Sequence, residues 1–144
     1  MYIGRINRIK GVFDILEMAR KIELQAPGRV RWEMCGAGPD LEELRRRQAE
    51  MDLEQVITIR GWTSLEDLQH VYARSHVSIV PTRSSFIEGL AMTAAEAILA
   101  GRPVITNPVV PALEVLEPAC LKAETNDVDS YVRVILKLID EKTI

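Results

Sequence analysis

The sequence predicts an α/β fold: a doubly wound, mostly parallel, Rossmann-like sheet of about six strands with helices on both faces. Short apolar runs alternate with longer segments of helical periodicity along the whole chain. No low-complexity linker or short repeat interrupts the alternation, and 144 residues are enough for one sizeable core. We therefore expect a single domain over residues 1–144, with right-handed crossovers between parallel strands.

The predicted strands are short runs in which apolar residues follow one another, as in strands buried on both faces. The last of them, around residue 120, carries the weakest signal. They are Tyr2–Gly4, Val30–Cys35, Val56–Arg60, Val77–Val80, Pro103–Thr106 and Cys120–Lys122.

The predicted helices lie between these strands. Ser64 begins one of them as an N-cap, and Asp67 completes an acidic variant of the capping box. Asn126 is placed to cap the last helix. The apolar positions that mark the helices are Val12, Phe13, Leu16 and Ala19 in the first, Leu41 and Leu44 in the second, and Val128, Tyr131, Val132, Ile135, Leu138 and Ile139 in the last.

Charge and cysteine content exclude several classes of protein. A formal net charge of -3 argues against a dedicated nucleic-acid binder, which is usually basic. Cys35 and Cys120 stand apart, without a second cysteine or a histidine at metal-ligand spacing, so we expect two buried thiols in a cytoplasmic protein. No apolar run is long enough to span a membrane.

Ligands of such sheets bind at the carboxyl ends of the strands, so four loops matter: those after Gly4, Gly36, Val80 and Thr106. In the first loop, Arg5 and Lys10 can converge on one anion. Taken alone, this loop favours two solvated cations.

The second loop, Gly36-Ala37-Gly38-Pro39, is too incomplete for a dinucleotide fingerprint. The third glycine of that pattern is replaced by Leu41, and the strand that should end in an acidic residue ends in Arg60. Tight strand-to-helix packing explains the two glycines better.

The segment from Glu88 to Thr106 is the most informative part of the chain. It reads EGLAMTAAEAILAGRPVIT, with two carboxylates eight residues apart and an Ala-rich helix between them. Glu88-Gly89 precedes the helix, where free backbone N–H groups favour an anion. Glu96 lies about two turns further along. Its apolar neighbours predict a largely buried helix, in which a carboxylate needs partners. This pattern favours a phosphate at the helix start and hydroxyl groups near both carboxylates, as in a nucleotide sugar.

Aromatic and histidine side chains give weaker signals. Trp62 follows Gly61 at the end of a strand; stacking on a base and a core or lid position are both open. Trp32 lies inside a predicted strand and is expected in the core, whereas His70 and His76 are expected to be structural or surface residues.

The chain carries three motifs in this order: Arg5 to Lys10, Gly36 to Pro39, and Glu88 to Thr106. Together they resemble the carboxyl-terminal domain of a family 4 retaining glycosyltransferase of GT-B architecture. The most specific match is Glu88-x7-Glu96 followed by Ala-Gly-Arg-Pro-Val-Ile, supported by Arg5-x4-Lys10-Gly11. The resemblance covers nearly the whole chain.

The resemblance implies a role for each matched position. Arg5 and Lys10 would hold the donor diphosphate, Glu88 would bond sugar hydroxyls, and Glu96 would bond the ribose hydroxyls. These three side chains near the reacting bond, Arg5, Lys10 and Glu88, are the implied catalytic set. The remaining implied donor-binding positions are Gly4, Gly89, Leu90 and Ala91, the last two through backbone N–H groups that face the distal phosphate. No metal and no further cofactor is implied, since cations and the helix start stabilise the leaving diphosphate.

The chain departs from the family pattern in three ways. Ala91 stands where a second glycine is common, and Asn107-Pro108-Val109-Val110-Pro111 replaces a glycine pair in the fourth loop. The chain opens directly on a predicted strand, so we expect the family's amino-terminal acceptor domain to lie outside residues 1–144. We therefore expect the fragment to bind donor without turnover, and any peripheral contact with the inner membrane to go through that domain.

Three other classes remain as alternatives. A non-catalytic nucleotide or nucleotide-sugar binding module would carry the same motifs. A receiver-type signalling domain would need an acidic cluster where this chain has Arg5, and an NADP-dependent oxidoreductase would need glycine at position 41.

Overall fold

The structure, a computed structural model, describes residues 1–141. Short turns of 3₁₀ helix lie at Arg8–Lys10 and Glu117–Ala119. The strands are β1 (Tyr2–Ile3), β2 (Trp32–Cys35), β3 (Ile57–Gly61), β4 (Ser78–Val80), β5 (Val104–Thr106) and β6 (Cys120–Lys122). The helices are α1 (Val12–Gln25), α2 (Leu41–Glu50), α3 (Leu65–Arg74), α4 (Met92–Leu99), α5 (Ala112–Val115) and α6 (Val128–Asp140).

The strands form two parallel, three-stranded sheets, β1-β2-β3 and β4-β5-β6. Hydrogen bonds of Met1 join them, because its amine donates to the Val77 carbonyl at 2.8 Å and its carbonyl accepts from the Ile79 N–H at 2.9 Å. Across this joint the order is β3-β2-β1-β4-β5-β6, the doubly wound order whose crevice lies between the first and fourth strands. The predicted α/β fold, with six parallel strands, is confirmed.

Alternate residues of the strands face two separate cores. Met34, Ile79 and Ile105 pack on one side with the buried residues of α1, α2 and α6. Their neighbours Cys35, Val80 and Val104 pack on the other side with α3, α4 and α5. This alternation is the period-2 geometry of a strand, and it explains why adjacent residues of the central strands are apolar, as in Met34-Cys35 and Ile79-Val80.

The caps of two helices test the sequence patterns. The Ser64 hydroxyl accepts from the Asp67 N–H at 3.2 Å, which confirms the predicted cap of α3. The predicted cap of α6 is wrong by one residue: the Asp127 carboxylate accepts from the Ser130 N–H at 3.1 Å. Asn126 instead adopts a left-handed backbone with φ 56° and turns its amide to the loop that follows β4.

Isolated side chains are placed largely as predicted. Trp32 is buried, and both histidines are exposed. Both thiols are free, but only Cys35 is buried, whereas Cys120 is partly exposed. Within residues 1–141, no helix combines the length and the hydrophobicity needed to cross a membrane.

Candidate functional site

Two loops at the carboxyl edge of the sheet meet at one ion pair. The Lys10 Nζ lies 3.0 and 2.8 Å from the two carboxylate oxygens of Glu88. The Thr82 hydroxyl donates to the same carboxylate at 2.8 Å. The side chains of Lys10 and Glu88 are only 22% and 10% exposed, so this pair is well shielded from solvent. The structure therefore brings together two of the predicted site residues, one from each side of the crevice.

A tight backbone contact places Lys10. The Asn7 side chain accepts from the Ile9 N–H and begins the short turn that carries Lys10, and Gly11 ends it with φ 80°. A Cβ added at Gly11 would lie 2.0 Å from the Pro81 carbonyl oxygen. Only glycine allows both this φ and this approach, so Gly11 sets the distance between the loop after β1 and the loop after β4.

The second glycine loop supports the first. A Cβ at Gly36 would lie 1.7 Å from the Gly4 carbonyl oxygen, and one at Gly38 would lie 2.2 Å from the Ile6 carbonyl oxygen. The Ile6 N–H also donates to the Ala37 carbonyl. The glycines of this loop therefore serve close packing, as the sequence predicts, although they pack against the loop after β1.

The loop that leads to Glu88 is anchored at its beginning. Arg83 bonds Asp14 of α1 at 2.6 Å, and the Ser84 N–H donates to the Asn126 side chain at 3.1 Å. The Asn126 amide in turn donates to the Ser84 hydroxyl at 2.6 Å. Beyond these anchors Ser85 and Ile87 are exposed, Ile87 to 96%, whereas Phe86 and Glu88 are partly covered.

Helix α4 begins later than the sequence predicts. Its first residue is Met92, so Glu88 lies four residues before it, with Gly89 and Leu90 exposed between them. In the described part of the chain, the backbone N–H groups from Gly89 to Thr93 have no hydrogen-bond acceptor. Such groups at a helix start point toward an anion.

Glu96 is not in a buried environment, and that expectation is wrong. It lies about one turn into α4 rather than two, on the exposed side of a helix in which only Ala94 and Ala97 are buried. The Tyr72 hydroxyl lies 3.4 Å from its carboxylate, at the edge of hydrogen-bond range. Burial, and next the charge of Glu96, raise the pKa of Tyr72 to about 12, so this phenol stays a donor. Within residues 1–141, Glu96 shares no hydrogen bond with Lys10 or Glu88.

Gly4 and Arg5 lie at the carboxyl edge of the sheet too, but at a different place from the Lys10–Glu88 pair. With Trp62 they line a cavity of about 300 Å³ beside the ends of β1 and β2. Trp62 is 78% exposed, so a core position is excluded for it. Arg5 is exposed and is held through its backbone, because the Tyr2 hydroxyl donates to the Arg5 carbonyl at 2.7 Å.

Sequence reasoning missed two residues that shape the edge. Tyr72 carries no motif, but it lies four residues after Leu68, which lines the cavity, and such spacing puts both on one helix face. Phe86 lies in the loop after β4 and carries no motif, but its ring centroid lies 4.2 Å from the Lys10 Nζ and the ring covers the ion pair.

A larger cavity, about 440 Å³, lies elsewhere, between α6 and the amino ends of β2 and β4. None of the predicted site residues lines it. Within residues 1–141, no group of three or more His, Cys, Asp or Glu side chains is placed to hold a metal ion.

Ala91 caps α4 in a strained conformation, with φ 62° and ψ 84°. We expect Ala91→Gly to raise the free energy of unfolding by about 1 kcal/mol, because glycine adopts this region without the Cβ clash. Urea denaturation measures the change. Ala95→Gly, in the middle of the same helix, is the matched control and should cost about 1 kcal/mol. A loss of stability in both variants would contradict the assigned strain.

Comparison with solved structures identifies the class of fold as that of GT-B glycosyltransferase carboxyl-terminal domains. The C-terminal domain of LpcC from Francisella tularensis, a glycosyl transferase group 1 family protein, superposes with a TM-score of 0.80 at 19% identity, over 99% of this chain and 75% of that chain. HepE from Anabaena, solved with UDP, superposes with a TM-score of 0.81 at 18% identity, over 98% of this chain and 38% of that chain.

The sequence match is more specific than the likeness of fold. Residues 1–143 match the family described as glycosyl transferases group 1, and the chain belongs to that family. An O-antigen chain mannosyltransferase B from Escherichia coli is 28% identical over 142 residues, which are 98% of this chain and 36% of that protein. The chain thus spans about a third of the length of this relative.

Proposed function

We propose that this chain is the donor-binding, carboxyl-terminal domain of a family 4 retaining glycosyltransferase. The whole enzyme would transfer a sugar from a nucleoside-diphosphate sugar to an acceptor held by an amino-terminal domain outside residues 1–144. The observation that carries the proposal is the meeting of Lys10 and Glu88 beside the free backbone N–H groups that precede α4. The UDP in the HepE structure and the family membership support it.

The cations would act on the leaving group. As the bond from the sugar to the diphosphate breaks, negative charge grows on the diphosphate, and donors already aimed at it stabilise the transition state. Lys10 lies at the crevice, and Arg5 follows the end of β1. With the N–H groups from Gly89 to Thr93, they would supply this stabilisation without a metal ion.

The carboxylates would orient the rest of the donor. Glu88 would accept hydrogen bonds from sugar hydroxyls, and Glu96 from those of the ribose. Exposure of Glu96 leaves its carboxylate open to a ligand, and Tyr72 would hold it in position. Gly89 leaves room at this point, since a Cβ there would meet nothing within 4 Å.

The partners and setting follow from this role. The domain would bind donor without turnover on its own, since the acceptor side would lie on the amino-terminal domain. We place the whole enzyme in the cytoplasm, with any attachment to the inner membrane made through the amino-terminal domain. The competing proposal, a nucleotide-sugar binding module without catalysis, receives less support from a family of transferases.

Calorimetric titration of this chain with UDP, GDP and ADP, first without metal and then with magnesium, tests the proposal. Saturable binding of one of them without metal would support the donor site and identify the base. If none of the three nucleotides binds to the folded chain, and none binds to the full-length protein, the proposal is contradicted. Sugar transfer by the full-length protein separates the enzyme from the binding module.

Trp62 provides an internal probe of the base. The chain has two tryptophans, and the other, Trp32, is only 5% exposed and lies away from the carboxyl edge. We expect nucleotide binding to quench the fluorescence of Trp62, because an exposed indole beside the cavity is placed to stack on a base. Trp62→Ala should weaken nucleoside diphosphate binding by about tenfold and leave pyrophosphate binding unchanged. Equal losses for both ligands would contradict the stacking.

A further inference from the structure

The ammonium group of Lys10 is fully engaged by the protein itself. Its Nζ bonds both oxygens of Glu88, and the face of the Phe86 ring covers it at 4.2 Å. An ammonium has three N–H donors and no acceptor; Glu88 takes two of them, and the Phe86 ring covers the ammonium as well. A diphosphate that makes more than one hydrogen bond to Lys10 therefore takes the place of Glu88.

The carboxylate of Glu88 is equally occupied. Two of its contacts come from Lys10 and one from the Thr82 hydroxyl, which is buried. When Lys10 turns to a diphosphate, Glu88 keeps Thr82 alone. A shielded carboxylate that loses its cation is unfavourable unless other donors replace it.

We propose that the Lys10–Glu88 pair is a specificity device that favours the intact donor over the nucleoside diphosphate product. This inference rests on the proposed function. In the intact donor, the diphosphate replaces Glu88 as the partner of Lys10, and sugar hydroxyls replace Lys10 as donors to Glu88. Lys10 and Glu88 each exchange one partner for another, and neither is left without a partner.

The product completes only half of this exchange. It presents a diphosphate to Lys10 but no sugar hydroxyl to Glu88, and its terminal phosphate carries more negative charge than that of the intact donor. Glu88 therefore competes with the product for Lys10 and repels it at short range. The pair re-forms as the product leaves, which limits product inhibition.

The test compares Glu88→Gln with the unchanged chain by calorimetry, using UDP, GDP or ADP, whichever binds. Glutamine keeps the shape of the side chain and removes its charge, so no carboxylate competes for Lys10. We therefore expect the nucleoside diphosphate to bind about tenfold more tightly, which is the lower end of the effect of an adjacent opposite charge. The gain should vanish when Lys10→Met is present as well, because the cation released by the substitution is then absent.

A remote variant controls for net charge. Glu50→Gln removes one negative charge from an exposed pair with Arg46 on α2, where both side chains are 58% exposed, and it should leave binding unchanged. Circular dichroism checks that each variant is folded, and Glu88→Ala replaces Glu88→Gln if the latter is not.

The outcomes distinguish this inference from the proposed function. If Lys10→Met weakens nucleoside diphosphate binding and Glu88→Gln does not tighten it, the exchange is wrong and the donor site stands. If Lys10→Met has no effect on binding, the diphosphate role of Lys10 fails, and the inference fails with it. Tighter binding in Glu88→Gln that persists without Lys10 would also overturn the exchange.

Discussion

Replacing Lys10 with methionine is expected to weaken nucleoside diphosphate binding by about 100-fold and to reduce sugar transfer by the full-length protein at least as much. Two effects act together. The diphosphate loses charge-assisted hydrogen bonds, each worth about 1.5–3 kcal/mol. It also faces a Glu88 carboxylate that no cation neutralises, because within residues 1–141 Lys10 is the only cation paired with it.

The measurement is titration calorimetry with the diphosphate that binds the unchanged chain. Lys21→Met is the matched control, since Lys21 lies on α1 in a partly exposed pair with Asp129 and carries the same charge. It should leave binding unchanged, and both variants should unfold cooperatively. Unchanged affinity in Lys10→Met would show that the diphosphate binds elsewhere.

The fold could be predicted because its signals are local. Strands buried on both faces read as short apolar runs, and helices that cover them show helical spacing. Val77–Val80 and Ser78–Val80 differ by one residue between prediction and structure, as do Pro103–Thr106 and Val104–Thr106. Such differences at element ends do not move any side chain to another face.

The sequence and the family resemblance named candidate site residues but not their arrangement. The family resemblance implies that Lys10 and Glu88 serve one donor, yet they are 78 positions apart and their direct contact depends on the packing of Gly11 against Pro81. No local pattern encodes that distance. The pair instead follows from the joint between β1 and β4, which a sequence read element by element does not reveal.

Helix α4 shows why burial was misjudged. Its sequence is apolar nearly all round, which is typical of a buried helix. In the structure only Ala94 and Ala97 are buried, while Met92 and Leu99 are 65% and 88% exposed. Small side chains let one face lie close to the sheet, and apolar residues on the other face need not be covered, because much of any protein surface is apolar.

The cap of α6 was misplaced for a related reason. Asn126 and Asp127 are adjacent, and both residue types favour N-caps. Asparagine also tolerates the left-handed region, and its amide offers donors that aspartate lacks. At position 126 both properties are used, since the amide donates to Ser84 and holds the loop that leads to Glu88.

Gly11→Ala is expected to lower the free energy of unfolding by about 3 kcal/mol, the sum of a left-handed alanine and an overpacked contact. For a chain of this size the loss corresponds to a fall in Tm of about 10 °C. The physical cause is double: φ at Gly11 is 80°, and the new Cβ would lie 2.0 Å from the Pro81 carbonyl oxygen and 2.9 Å from its carbonyl carbon. A backbone contact of this kind cannot be relieved by turning a side chain.

Gly28→Ala separates the two causes. Gly28 has a similar φ of 71°, but a Cβ there would meet nothing within 4 Å, so this variant measures backbone strain alone at about 1 kcal/mol. The additional loss of stability in Gly11→Ala is then the cost of the close contact between the new Cβ and Pro81. Since that contact sets the spacing of the loops that carry Lys10 and Glu88, folded Gly11→Ala should also bind nucleoside diphosphate more weakly, whereas Gly28→Ala should not. Equal stability losses in the two variants, with binding intact in both, would mean that this backbone contact does not position the ion pair.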